Sequence, residues 1–188
     1  MPREKILIID FGSQYNQLIA RKVRELNIFC EILPPDFSVK SINPKEVKGI
    51  IFSGGPASVY SRAAPKCDSR VFSLGIPILG ICYGMQLMSK MLGGDVAKSR
   101  RREYGRSPLS ITNDRLLFQD TPRSSISWMS HGDKVRKMPR GFVRIANSPN
   151  TSIAAFADFD RKLFGVQFHP EVAHTEYGKK ILKNFLEL

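Results

Sequence analysis

A cysteine set between two glycines, Gly80-Ile81-Cys82-Tyr83-Gly84, follows an apolar stretch (IPILGI, 76–81) and opens a segment of helical character (83–92). A chain that turns sharply from strand to helix through a nucleophile needs such flanks. The turn is crowded, side chains two residues away would collide with neighbouring backbone, and the reactive atom is pushed out at the carboxyl edge of a sheet. The same place is a helix N-terminus, whose unpaired N–H groups and dipole favour a thiolate and offer donors to an oxyanion. Most free cysteines are small buried hydrophobes, and Cys30 and Cys67, which lack the glycines, are expected to be structural.

A nucleophilic thiolate needs a partner to manage protons, and the chain offers three histidines, His131, His169 and His174. His169 is the best placed, directly after the strand-like KLFGVQF (162–168). Glu171 follows two residues on, so in an extended chain both side chains point the same way, and a carboxylate there fixes the imidazole tautomer and stabilises its protonated form. By itself His-Pro-Glu is an ordinary strand-end turn; its weight comes from the pairing with the cysteine elbow. Gly54-Gly55-Pro56, after the strand-like GIIFS (49–53), leaves backbone N–H groups free to face an anion or a carbonyl oxygen. Ser53-Gly54-Gly55 also imitates the opening of the pyrophosphatase loop SGGxDS, but Ala57 stands where that loop needs aspartate, and there is no Walker A sequence. The chain therefore shows no means of activating a substrate with ATP.

The elements that would carry these residues alternate. KILIID (5–10) predicts a buried parallel strand, and Leu18, Ile19, Val23 and Leu26 fall at helical spacing after it. Residues 29–33 predict a second strand stopped by Pro34-Pro35, residues 49–53 a third, and 68–74 a helix; Gly93-Gly94 close the helix that begins after Cys82. Between 96 and 156 the pattern shifts to short β-type pieces (107–112, 124–129, 141–146) whose order is not readable. The chain ends in a helix with Ile181, Leu182 and Phe185 on one face. The expectation is a single α/β domain over 1–188, a mostly parallel, flavodoxin-like central sheet flanked by helices, with a small additional β segment around 96–156.

The 188 residues are enough to bury a core without disulfides or metals, and 42% hydrophobic with 24% charged residues is the balance of a soluble globular protein. Met1-Pro2-Arg3 leads into a short apolar stretch without a signal-peptide layout, and no apolar run approaches a membrane span, which argues for the cytoplasm. Three widely spaced cysteines suggest neither a disulfide framework nor a zinc site. The formal charge of +12 fits nucleic acid, an acidic partner or a lineage bias. Its densest stretch, KSRRREYGR (98–106), lacks the aromatic-basic interleaving of single-strand binders, so no specific nucleic-acid partner is expected.

GICYGMQ (80–86) resembles the GxCxGxQ nucleophile motif of class I glutamine amidotransferases, FHPE (168–171) their histidine-glutamate motif, and SGGP (53–56) their oxyanion loop, all in family order. Within that family, DFGSQYNQLIARKVRE (10–25), GGPASVY (54–60), REYGR (102–106), SHGDKV (130–135) and HTEYG (174–178) resemble the glutaminases that serve GMP synthesis. The resemblance covers essentially the whole chain.

It implies a triad of Cys82, His169 and Glu171, an oxyanion hole from the backbone N–H groups of Gly55 and Tyr83, and a glutamine pocket lined by Gln86 and by Ser130, His131, Gly132 and Asp133. For His131 the plain alternative is a loop residue whose backbone matters more than its ring. His174 and the stretch beside it are expected to face a synthetase. The implied chemistry is hydrolysis of L-glutamine, with ammonia passed to an ATP-pyrophosphatase subunit or domain. That partner would bind ATP, Mg²⁺ and XMP, leaving this chain without cofactor or metal.

An ATP-pyrophosphatase domain follows the matching segment in single-chain relatives and is a separate subunit in others; both arrangements stay open. Basic residues at Arg62, Lys66, Arg101, Arg136 and Arg140, where many relatives are acidic, and Asn150-Thr151-Ser152, where a proline is expected, depart from the pattern without touching the triad. The alternatives are a glutaminase of another pathway, a γ-glutamyl hydrolase, separable with γ-glutamyl peptides, and a non-catalytic module, which labelling of Cys82 by a glutamine analogue would exclude.

Overall fold

Four apolar side chains in a row after Lys5 suit a strand covered on both faces, since alternate residues point to opposite sides. The computed structural model, which describes residues 4–188, has that arrangement. In β1 (Lys5–Ile9), Ile6 and Ile8 enter one apolar cluster, and Leu7 and Ile9 another. The first cluster is roofed by α1 (Asn16–Arg24) and α3 (Gly178–Leu186) through Ile19, Ala20, Val23, Ile181, Leu182 and Phe185. The second receives Met85, Leu87 and Met88 of α2 (Tyr83–Met91). Phe185 packs so closely on the sheet that a Cβ at Gly49 would lie 3.2 Å from its ring. Truncating it to alanine would cost about 3–5 kcal/mol.

Four further strands run parallel to β1 through neighbouring pairings: β2 (Phe29–Leu33), β3 (Val47–Phe52), β4 (Ile78–Ile81) and β9 (Leu163–Val166). The antiparallel strands are β5 (Asp95–Ile111), β6 (Ser124–Lys137), β7 (Val143–Asn147) and β8 (Ala155–Asp158). Among the described residues these nine strands form one sheet in the order β2-β1-β3-β4-β9-β8-β7-β5-β6. The β segment expected around 96–156 thus extends the central sheet; the pieces 107–112 and 124–129 belong to longer strands, β5 with 17 residues and β6 with 14, and 141–146 corresponds to β7.

Although β6 is the far edge of the sheet, it curls back over the carboxyl ends of β4 and β9. The His169 N–H donates to the Trp128 carbonyl (3.0 Å), and the Cys82 Sγ lies 3.6 Å from the Ser130 carbonyl.

Two expectations change in detail. The stretch 68–74 is a 3₁₀ segment (Ser69–Ser73) whose Asp68 carboxylate accepts from the Arg70 N–H, because it lacks an apolar face of helical period. The strand before His169 ends at Val166, and His169 and Glu171 meet in the turn that follows, so period-two spacing does not bring them together. Pro170, with its fixed φ and no N–H to donate, lies in that turn. Gly93 does close α2, with φ 89°. Met1-Pro2-Arg3 lie outside the described residues. No helix among the described residues is long and apolar enough to cross a membrane. No group of three or more His, Cys, Asp or Glu side chains among them could hold a metal ion.

Candidate active site

Cys82 is the N-cap of α2 and has φ 50° and ψ −105°, a left-handed backbone that a side chain rarely adopts. Such a residue costs about 1–3 kcal/mol and persists only when its surroundings over-determine it. They do so here. The Cys82 N–H donates to the Val166 carbonyl (2.8 Å), and the Gly84 N–H to the Ser53 carbonyl (3.1 Å). A Cβ at Gly80 would fall 2.7 Å from the Gly84 carbonyl carbon and from the Met85 nitrogen, and one at Gly84 would overlap the Phe52 carbonyl. Both glycines of the expected elbow are therefore demanded by backbone approach.

Across from the thiol stands the imidazole of His169. Its Nδ1 is 2.8 Å from the Glu171 Oε1, and both side chains are buried. The ring is held in place by its surroundings. Thr175 Oγ1 donates to the His169 carbonyl (2.7 Å) while accepting from the Trp128 N–H (3.0 Å), and the Tyr15 ring meets the imidazole edge-on at 5.2 Å. Gly54 separates the ring from the elbow: a Cβ there would be 3.1 Å from His169 Cε1 and 3.7 Å from Cys82 Cβ. Burial pushes the imidazolium down, but hydrogen bonds to Cys82 and Glu171, and the charges of both, hold it up at about 10.

One cavity of about 490 Å³, ample for an amino-acid substrate, collects the expected residues Cys82, His169, Gly55, Gln86, Ser130, His131, Gly132 and Asp133. Glu171 lies behind His169, fully buried. Tyr83 also stays outside the lining; its ring packs under Phe11 and its hydroxyl donates to the Pro65 carbonyl (2.6 Å), leaving only its backbone, at the first position of α2, for the expected oxyanion role. Gly55 is pressed against the Phe11 carbonyl, where a Cβ would not fit. Gln86 is buried under the cavity, its amide donating to the Asp133 carbonyl (2.8 Å) and to Gln167 Oε1 (3.2 Å). His131 sits within β6, so the loop alternative does not hold. Exposed His174 stacks on Trp128 at 4.7 Å, outside the cavity.

Sequence reasoning missed several neighbours of the thiol. Gln167 is fully buried and its Nε2 reaches the Cys82 Sγ at 3.6 Å; the available clue was its place two residues before His169. Tyr15 belongs to a quoted motif but had no role. Arg102 and Tyr104, within the basic stretch, line the cavity together with Gly12 and Ser13. Among the cysteines, Cys67 is pushed up to about 12 by burial, chiefly, and Cys30 is also raised by burial, as fits structural thiols.

The sequence model of the family "Glutamine amidotransferase class-I" matches residues 7–188. The chain is 56% identical over 186 residues to a GMP synthase (glutamine-hydrolyzing) of Acetivibrio thermocellus, covering 99% of this chain and 36% of that protein. Over 182 residues it is 56% identical to the GMP synthase of Prochlorococcus marinus, covering 96% of this chain and 34% of that protein. The chain thus spans about a third of the length of these relatives. Among solved structures, a Thermoplasma acidophilum protein assigned provisionally as one subunit of GMP synthase superimposes with a TM-score of 0.86 at 29% identity, over 98% of this chain and 93% of that one. A Thermotoga maritima glutamine amidotransferase, at 24% identity and a TM-score of 0.77 over 98% and 81%, shares the fold.

Proposed function

The chain belongs to the class-I glutamine amidotransferase family, and on that footing we propose that it hydrolyses the side-chain amide of L-glutamine through Cys82, His169 and Glu171 and passes the ammonia to a GMP synthetase ATP-pyrophosphatase partner. The observation that carries this reading is Cys82 itself, held in a left-handed elbow at a helix N-terminus and sharing one cavity with His169. The Cys82 thiolate attacks the amide carbon. The oxyanion is received by the N–H groups of Gly55 and Tyr83. His169, oriented by Glu171, protonates the leaving nitrogen, so ammonia departs and a glutamyl thioester remains. His169 then takes a proton from water, whose oxygen attacks the thioester; glutamate leaves and the thiolate returns. Gln86 and the segment from Ser130 to Asp133 form the floor and wall that hold glutamine.

These steps call on amino-acid side chains and backbone alone. ATP, Mg²⁺ and XMP belong to the partner, where ammonia would convert XMP to GMP; the relatives named GMP synthase support this assignment. The test is ammonia release from glutamine by this chain, alone and mixed with an ATP-pyrophosphatase subunit, ATP, Mg²⁺ and XMP. Stimulated turnover with GMP formation is expected. Turnover indifferent to the partner would remove the GMP assignment and keep the glutaminase, and no turnover in either mixture would overturn both.

A further inference from the structure

Glu103 is a buried carboxylate that the proposed mechanism does not use. It lies in β5, 4% exposed, directly across the ladder from His131 of β6. Four side chains converge on it. Ser107 Oγ donates to Oε1 (3.0 Å), Ser148 Oγ contacts both oxygens (2.9 and 3.1 Å), Thr151 Oγ1 donates to Oε2, and His131 Nε2 stands 3.3 Å from Oε2. Burial opposes the charge, but these contacts outweigh it and hold the carboxyl down at about 2. A desolvated charge this well satisfied is strongly anchored, and removing its partners would leave it unpaired at high cost.

What Glu103 anchors is the wall of the cavity. His131 stands between the two, its Nε2 3.3 Å from Glu103 Oε2, an ion-pair distance rather than a hydrogen bond, and its Nδ1 3.0 Å from the Asp133 carbonyl, the same carbonyl that receives the Gln86 amide. One residue earlier, the Ser130 carbonyl faces the Cys82 thiol. On β5 itself, Arg102 and Tyr104 flank Glu103 and line the cavity while Glu103 points inward. The chain there leaves regular register between Lys98 and Glu103, so the ladder alone does not hold these side chains.

We propose that Glu103 is a positioning residue for substrate binding: acting through His131, and through the strand that carries Arg102 and Tyr104, it sets the wall against which the amino-acid part of the substrate rests. The inference rests on the glutaminase reading, because it takes glutamine as that substrate. Thr151 is part of the device, joining the turn after β7 to a site otherwise built from β5 and β6.

The test is glutamine kinetics of Glu103→Gln, with ring ¹⁵N resonances of His131 and alkylation of Cys82 by iodoacetamide measured alongside. A carboxamide has nearly the same shape but cannot accept at both ends. The expected result is a KM raised about tenfold or more with kcat within about threefold, the loss of roughly one hydrogen bond to a charged group, a displaced His131 resonance, and wild-type alkylation. An unchanged KM, or a fall in kcat alone, overturns the proposal. Should Glu103→Gln not fold, Thr151→Val removes one donor and keeps the charge; a severalfold rise in KM supports the proposal and none overturns it. Failure of the glutaminase reading looks different, since the wild type then releases no ammonia. In that case a His131 resonance unmoved by Glu103→Gln still refutes the coupling, and a displaced one sustains it.

Discussion

Among the described residues two histidine-carboxylate pairs are buried, and they differ in nearly every consequence. His169 and Glu171 are two residues apart in one turn, 2.8 Å from nitrogen to oxygen, and the far side of the ring faces a thiol in the cavity. His131 and Glu103 are on facing strands, 3.3 Å apart, and the far side of that ring faces the Asp133 carbonyl. In the first pair the carboxylate takes one nitrogen and the imidazole gains a proton; in the second, three hydroxyls share the carboxylate and the gain goes to the acid. The same two residue types thus face a thiol in one place and a backbone carbonyl in the other, and the roles proposed for them differ accordingly. What decides is the atom on the free side of the ring and the number of donors around the acid.

The largest effect should come from the thiol that only the first pair serves: Cys82→Ala is expected to lower glutamine turnover by at least about 10⁴-fold in an ammonia-release assay, since no second thiol is among the described residues that line the cavity. Turnover retained at wild-type level would remove the first pair's assigned role.

Next come the histidines. His169→Asn should cost about 10²- to 10⁴-fold in kcat, whereas His131→Asn should act mainly on KM; equal losses in kcat would erase the contrast between the pairs.

A smaller, structural effect tests the elbow that aims the thiol. Gly84→Ala must push the new methyl against the Phe52 carbonyl, and chemical denaturation should show a loss of about 1–3 kcal/mol. An unaltered midpoint would mean that the elbow relaxes freely.

The smallest effect, and the sharpest on the comparison, is in stability against pH. His169 is raised from 6.5 to about 10 in the fold, so its stabilisation is complete below 6.5 and is lost as pH rises through 10. Glu103 is lowered from 4.5 to about 2, so its contribution is present above 4.5 and is lost as pH falls through 2. Thermal unfolding across both ranges should show Glu171→Gln flattening the alkaline limb and Glu103→Gln the acid limb. Exchange of the two assignments, or no effect of either, would contradict the pairing described.

The first pair and its elbow were legible in the amino-acid sequence, because each requirement falls on neighbouring residues: Gly80 and Gly84 beside Cys82, Glu171 beside His169. Strand β1 was legible for the same reason, its unbroken apolar run stating that both faces are covered. The helix expected at 68–74 misled because a few apolar residues without a full period fit a 3₁₀ turn equally well. Of the second pair His131 was expected in the pocket, but its pairing with Glu103 was not legible. Its hydroxyls come from Ser107, Ser148 and Thr151, and Thr151 stood out only as a departure from an expected proline.

From the sequence alone came the cysteine elbow, the histidine and carboxylate proposed to serve it, and the doubly covered parallel strands, since local backbone geometry and side-chain period are written in adjacent positions. Only the tertiary structure decided that the antiparallel strands extend the same sheet, that β6 curls over the elbow to close the cavity, and that Glu103 is charged and enclosed. These depend on contacts between residues as much as 48 positions apart, such as Thr151 with Glu103 and Cys82 with Ser130. Burial and the sum of such distant contacts determine whether a carboxylate lies bare on the surface or anchors a wall.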